Sequence, residues 1–168
     1  MLNLIVALPL AHTLSAVQQT PSATPPVRGM PYLHIERVEQ IDNLDHGDML
    51  GKDRADFYAI VTVNGIRTQT QVLASDDGRP NWNLPLDYTS RYSRITIRLM
   101  DDDGGLEDKD DHADISPRAS HKDLTFVYDR STGRISGAVR GRLNSTIVSE
   151  GLGDDDRARI TFLIKKES

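Results

Sequence analysis

The sequence predicts an all-β domain, built as an eight-stranded antiparallel β-sandwich or barrel. Apolar residues alternate with polar ones through much of the chain after Tyr32, which is the period of a strand with one buried face. No run of ten or more residues has the apolar spacing of an amphipathic helix. Many short strands joined by tight turns are typical of sandwiches and barrels. Three turn-forming pairs separate the runs: Asn64-Gly65, Asp77-Gly78 and Thr132-Gly133.

The eight predicted strands follow one another from residue 32 to residue 165. Two of them alternate most clearly, "RITIRL" at 94–99 and "RARITFLIK" at 157–165, where every second residue is apolar. Trp82 lies in the run 82–88 and is predicted to pack in the core. The six less regular runs are rich in β-branched and aromatic residues; they are 32–41, 57–63, 68–72, 82–88, 124–128 and 135–143.

Residues 1–16, "MLNLIVALPLAHTLSA", have the pattern of a secretory signal peptide. An apolar stretch of ten residues is followed by a polar break and small residues, although no Lys or Arg precedes it. The alternatives are a core strand or a disordered tail. The stretch is shorter than the roughly 20 residues of a transmembrane helix, so we expect a secreted or periplasmic protein without a membrane span. Residues 17–30 are a Pro-rich linker, and the folded domain is predicted over residues 31–168.

The charge of the chain excludes a generally basic nucleic-acid-binding protein, because the formal net charge is -5. Twelve of its 25 acidic residues fall in two segments between predicted strands. Loops at the same end of a sandwich meet in space, so we expect these carboxylates to converge and to suit Ca²⁺, which takes six to eight oxygen ligands. The first segment contains Asp45, Asp48, Asp53 and Asp56, and the second contains Asp101, Asp102, Asp103, Glu107, Asp108, Asp110, Asp111 and Asp114.

Neither segment is a linear calcium loop. Setting Gly104 or Gly105 at the glycine position of an EF-hand puts Leu99 or Met100 where the first ligand belongs. A calcium site must therefore be assembled from separate loops.

Three motifs in this order resemble the C2 domain, a calcium- and phospholipid-binding β-sandwich family. The first motif is the spacing of Leu44, Asp48 and Gly51, followed after two inserted residues by "ADFY" at 55–58. The second is "TQTQVLASDDGRPNWN" at 68–83, and the third is "IRLMDDDGGLEDKDDHADI" at 97–115. The resemblance covers residues 32–168 and implies a C2-like sandwich. Acidic loops after the first and fifth predicted strands resemble the permuted, type II topology of that family.

The resemblance also implies a ligand set for Ca²⁺. The metal ligands carried over from the family are Asp48, Asp56, Asp101, Asp103 and Asp111, and the additional candidates are Asp53, Glu107, Asp108 and Asp110. The apolar residues among these acids are expected to enter a lipid interface once calcium cancels the acidic charge, or else to fold back onto the rim of the domain; they are Met49, Leu50 and Leu106.

Two classes of function remain after these steps. The first is an exported calcium-binding module that docks on an anionic phospholipid or a protein partner when calcium is bound. The second is a metal-independent protein-interaction or structural module of the same fold. An enzyme is not expected, because no nucleophile elbow, phosphate loop or metal-hydrolase motif occurs. His46 and His112 lie beside the acidic segments without zinc spacing and are interpreted as exposed loop residues.

Overall fold

The protein is an antiparallel β-sandwich of two sheets in the computed structural model, which describes residues 28–42, 44, 55–74, 77–102 and 110–166. The predicted signal peptide and most of the predicted linker lie outside these ranges. Thirteen strands occur in the described part. They are β1 Tyr32–Gln40, β2 Asp56–Val63, β3 Ile66–Gln69, β4 Leu73–Ala74, β5 Asp77–Gly78, β6 Trp82–Pro85, β7 Tyr92–Asp101, β8 Asp111–Ala113, β9 Leu124–Asp129, β10 Arg134–Gly137, β11 Gly141–Arg142, β12 Ile147–Glu150 and β13 Ala158–Lys165.

The smaller sheet has the order β12-β13-β1-β5, with β6 also paired to β1. The larger sheet has the order β11-β10-β9-β7-β2-β3, with β4 on β2 and β8 on β7. All the strand pairs in both sheets are antiparallel. The predicted all-β fold, an antiparallel sandwich of two sheets, is therefore confirmed, with thirteen described strands where eight were predicted. No helix in the described ranges is long and apolar enough to cross a membrane.

Each of the eight predicted runs overlaps a strand, although the run 68–72 shares only its first two residues with β3. The run 135–143 corresponds to two strands, β10 and β11, which form a hairpin. Strands β4, β5, β8 and β12 were not predicted. The expected turn at Asp77-Gly78 is wrong, because these residues form β5 against β1. In β12 the buried positions are Ile147 and Ser149 while Val148 is exposed, so the apolar pattern conceals the buried face.

The core lies between the two sheets. Alternate residues of β7 are buried, and Ile95, Ile97 and Leu99 have no exposed surface. Across the sandwich, Phe126 of β9 stacks on Phe162 of β13 with ring centroids 5.1 Å apart. The predicted core position of Trp82 is confirmed, since its side chain is buried.

The turn between β2 and β3 is the two-residue hairpin that the sequence predicts. Asn64 and Gly65 both have positive φ, 49° and 91°, as a hairpin turn with the twist of its strands requires. The side chain of Asn64 then bridges to the start of β7, because its Oδ1 accepts a hydrogen bond from the amide of Arg94 at 2.8 Å.

The connection from β8 to β9, residues 114–123, is tied to the turn that precedes β13. Asp114 is 2% exposed, and its two carboxylate oxygens accept hydrogen bonds from the amides of Ser116 at 2.9 Å and Gly153 at 2.7 Å. The approach leaves no room for a side chain at Gly151, where a Cβ would lie 2.3 Å from the Asp114 carbonyl oxygen. Asp114 is one acid of the second acidic segment, and its carboxylate links the 114–123 connection to the turn before β13.

Candidate metal centre

Three of the five predicted metal ligands lie on one edge of the larger sheet, the one formed by strand ends, where β2 and β8 begin and β7 ends. Asp56 is the first residue of β2, Asp101 is the last residue of β7, and Asp111 is the first residue of β8. The register places Phe57 opposite Asp101 and Asp101 opposite Asp111. The two acidic segments of the sequence therefore leave and enter the sheet at the same end, as expected for loops of a sandwich.

Asp101 has the most constrained carboxylate of this group. It is 2% exposed, and its Oδ1 accepts a hydrogen bond from the backbone amide of Asp56 at 2.6 Å. The amide of Asp102 in turn donates to the carbonyl of Asp56 at 3.2 Å. These backbone contacts fix the position of Asp101 at the end of β7.

Tyr58 orients a further acid at this edge. Its hydroxyl donates a hydrogen bond to Oδ2 of Asp110, the one additional candidate ligand in the described ranges. Burial raises the pKa of Tyr58, and the negative charges of Asp110 and Asp102 raise it further, so the phenol stays protonated as a donor. The sequence analysis missed this role. Tyr58 is the last residue of the "ADFY" motif, but nothing local links it to a residue 52 positions away.

Several predicted site residues lie outside the described residues: the ligands Asp48 and Asp103, the additional candidates Asp53, Glu107 and Asp108, and the apolar residues Met49, Leu50 and Leu106. Within the described ranges, no three His, Asp or Glu side chains are placed so that they could hold a metal ion. The described strands bring Asp56, Asp101 and Asp111 to one edge, and a complete ligand set would need side chains from segments 45–54 and 103–109.

His112 differs from its predicted role as an exposed loop residue. It lies on β8, is half-buried, and places Nε2 at 2.9 Å from Oδ1 of Asp123, without the alignment of a hydrogen bond. Arg98 holds the same carboxylate with two hydrogen bonds of 3.0 and 2.9 Å. Burial acts to raise the pKa of Asp123, but the contacts with His112 and Arg98 outweigh burial and hold this pKa well below its usual range. His112 is thus a half-buried strand residue that contacts Asp123, and the prediction of an exposed loop residue is wrong.

The described fold is an antiparallel β-sandwich in which Asp56, Asp101 and Asp111 lie at strand ends on one edge of the larger sheet. The sequence matches no protein-family model and no curated protein. Among solved structures, the chain is similar to human GIVD cytosolic phospholipase A2 in complex with methyl gamma-linolenyl fluorophosphonate, with 14% identity and a TM-score of 0.41. That match covers 83% of this chain and 18% of the phospholipase chain.

The chain is also similar to a C2 domain of plant extended synaptotagmin 1, with 10% identity and a TM-score of 0.45, over 83% of this chain and 96% of that domain. The antiparallel pairings of the described strands define the sandwich.

Proposed function

We propose that this protein is a calcium-binding C2-like module that docks through its acidic loops on an anionic membrane or partner surface when calcium is bound. The observation that carries the proposal is the placement of Asp56, Asp101 and Asp111 at one edge of the larger sheet, where both acidic segments are attached. Under this proposal the ligands of Ca²⁺ are drawn from Asp48, Asp56, Asp101, Asp103 and Asp111, and side chains from segments 45–54 and 103–109 complete the set. A bound Ca²⁺ supplies positive charge that offsets the concentrated carboxylates.

The donor chemistry suits calcium better than a softer metal. The candidate ligands are carboxylates, which are hard oxygen donors, and the chain contains no cysteine. Flexible coordination by six to eight oxygens also suits a site whose ligands come from separate loops. Asp53, Glu107, Asp108 and Asp110 are additional ligands in this proposal, and the Tyr58 hydroxyl orients Asp110.

Docking is proposed to use the apolar residues that the sequence places among the acids, Met49, Leu50 and Leu106. Burying one Leu or Met side chain contributes roughly 1.5–3 kcal/mol, so three such residues are enough for reversible attachment once the acidic charge is neutralised. We further propose that residues 1–16 direct export, that the folded domain spans residues 31–168, and that the module has no catalytic activity of its own.

A second function, a metal-independent interaction or structural module, is favoured by a different observation. Two of the acids at the candidate site already have partners within the protein. Oδ1 of Asp101 accepts a hydrogen bond from the Asp56 amide, and Oδ2 of Asp110 accepts one from Tyr58. Carboxylates satisfied in this way stabilise the edge of the sheet without a metal ion.

Sedimentation with phospholipid vesicles tests the docking proposal. Wild-type protein is expected to pellet with phosphatidylserine-containing vesicles at millimolar calcium and to stay in solution with chelator. The triple variant Met49→Ser, Leu50→Ser, Leu106→Ser should lose vesicle binding while it retains calcium binding, because none of the three residues carries a ligand oxygen in its side chain. If the wild-type protein stays in the supernatant at millimolar calcium, attachment to a membrane is wrong.

A further inference from the structure

A cleft of about 650 Å³ lies on the outer face of the larger sheet, and His112, which follows the candidate ligand Asp111 on β8, is among its lining residues. Its floor includes outward-facing residues of β7 and β9, among them Arg94 and Val127, which are cross-strand partners. One wall comes from the connection between β8 and β9, residues 114–123. The cleft is therefore formed by parts of the chain that are distant in sequence.

Hydrogen bonds within the protein hold this wall in place. The amide of Ile115 donates to the carbonyl of Lys122 at 3.2 Å, which closes the two ends of the connection on each other. The Ser149 hydroxyl donates to the carbonyl of Ile115 at 2.7 Å, and the amide of Leu152 donates to the carbonyl of Ser116 at 3.1 Å. These bonds to the smaller sheet and its loop fix the shape of the cleft without any ligand.

The cleft carries positive charge in a protein whose formal net charge is -5. Among the described residues, three permanent cations line it, Arg94, Arg118 and Lys122, and one carboxylate, that of Asp123. That carboxylate is already neutralised by the bidentate pair with Arg98.

Only one of the three lining cations has a carboxylate partner in the described part of the chain. Lys122 pairs with Asp156 at 2.6 Å. The guanidinium groups of Arg94 and Arg118 have no ion pair among the described residues. Both arginines are exposed, so their charge is available to an anion in the cleft.

Ser116 adds an independent observation at the same place. It lines the cleft and is 1% exposed, yet its Oγ has no hydrogen-bond partner among the described residues. Buried hydroxyl groups are nearly always hydrogen-bonded, so the Ser116 hydroxyl has a donor to offer to a group bound beside it. The hydroxyl and the two arginines are all able to donate hydrogen bonds, which an oxyanion accepts.

We propose that this cleft binds a phosphate group, through Arg94 and Arg118 with the Ser116 hydroxyl as a further donor, and that it does so without calcium. A guanidinium presents a planar fork of N–H donors that matches two oxygens of a phosphate, and charge-assisted bonds of this kind are the strong ones. The volume accommodates the phosphate together with part of the molecule that carries it. That carrier is either a soluble phosphorylated compound or the headgroup of a phosphomonoester lipid.

Titration with inorganic phosphate in the presence of chelator tests the site separately from the calcium proposal. Amide NMR shifts are expected to saturate around Arg94 and the 114–123 connection, whereas chloride at the same ionic strength should not reproduce them. Arg94→Gln or Arg118→Gln should raise Kd for phosphate at least about tenfold, the loss of one charge-assisted hydrogen bond. The matched control is Arg79→Gln, at an exposed arginine that does not line the cleft; it should leave Kd unchanged.

Ser116→Ala gives a sharper result. With no bond to lose, the variant should be at least as stable as wild type without phosphate, while its affinity for phosphate falls. The site does not exist if wild-type shifts fail to saturate, if chloride gives the same shifts, or if Arg79→Gln weakens binding as much as Arg94→Gln.

Sedimentation in chelator with phosphatidate vesicles, compared with phosphatidylcholine vesicles, then identifies the source of the phosphate. Pelleting with phosphatidate indicates a lipid headgroup. Saturable binding of free phosphate without pelleting indicates a soluble phosphorylated ligand.

Discussion

Asp101 and Asp111 should respond differently to mutation, although both are predicted ligands on the same edge of the larger sheet. Asp101 is buried, and its Oδ1 accepts a hydrogen bond of 2.6 Å from the Asp56 amide. Asp101→Ala removes that acceptor and leaves a backbone donor unpaired, so the free energy of unfolding in chelator should fall by about 1.5–3 kcal/mol. Asp111 is half-buried, and its side chain has no hydrogen bond or ion pair among the described residues. Asp111→Ala should change stability in chelator by no more than about 0.5 kcal/mol.

Urea unfolding followed by tryptophan fluorescence measures both effects, because Trp82 is the only tryptophan in the chain and is buried. Each variant is unfolded with chelator and with millimolar calcium. If both residues hold calcium, the stabilisation by calcium should shrink in both variants, while only Asp101→Ala is weakened in chelator. Asp154→Asn, at an exposed acid in the turn before β13, is the control and should match wild type in both conditions. Full calcium stabilisation of Asp111→Ala would refute its role as a ligand.

Three further predictions concern stability. Asp114→Ala removes the acceptor of two backbone amides and should lower the free energy of unfolding by roughly 2–5 kcal/mol. The control Asp154→Ala should have little effect. Equal losses for the two variants in urea unfolding would contradict the role of Asp114. The lowered pKa of Asp123 favours its ionised form in the folded state. The ionised carboxylate therefore stabilises the fold fully above the unfolded pKa of about 3.9, and this stabilisation is lost as the pH falls below that value. In melting curves, Asp123→Asn should lose less stability than wild type between neutral and acid pH. Tyr58→Phe leaves the packing of the ring intact but removes the donor to Asp110, and should cost about 0.5–1.5 kcal/mol in chelator; unchanged stability would mean that this bond contributes nothing.

The sandwich was predictable because its long strands carry a local signal. Alternation in 94–99 and 157–165 follows directly from the burial of one strand face. The first run lies within β7, and the second contains β13. Short strands lack such a signal. Residues 111–113 form β8 only because the end of β7 offers a partner, so their structure depends on pairing rather than on their own propensity.

The candidate site was predictable in outline but not in its details. A list of acids does not distinguish Asp114, whose carboxylate is buried and bound to two amides, from Asp110, which is exposed and held by Tyr58. Such differences arise from contacts between residues far apart in the chain. The cleft at Arg94 and Ser116 escaped sequence analysis for the same reason, since neither residue is unusual in its own segment.

Thermal unfolding with calcium and with chelator tests the central proposal most directly. A ligand at a hundredfold excess over its Kd stabilises the folded state by about 2.7 kcal/mol. Millimolar calcium should therefore raise Tm by several degrees relative to chelator, and magnesium at the same concentration should have a smaller effect because it requires a stricter octahedral geometry. Melting curves that superimpose with calcium and with chelator would contradict calcium binding and leave the metal-independent module as the function of this fold.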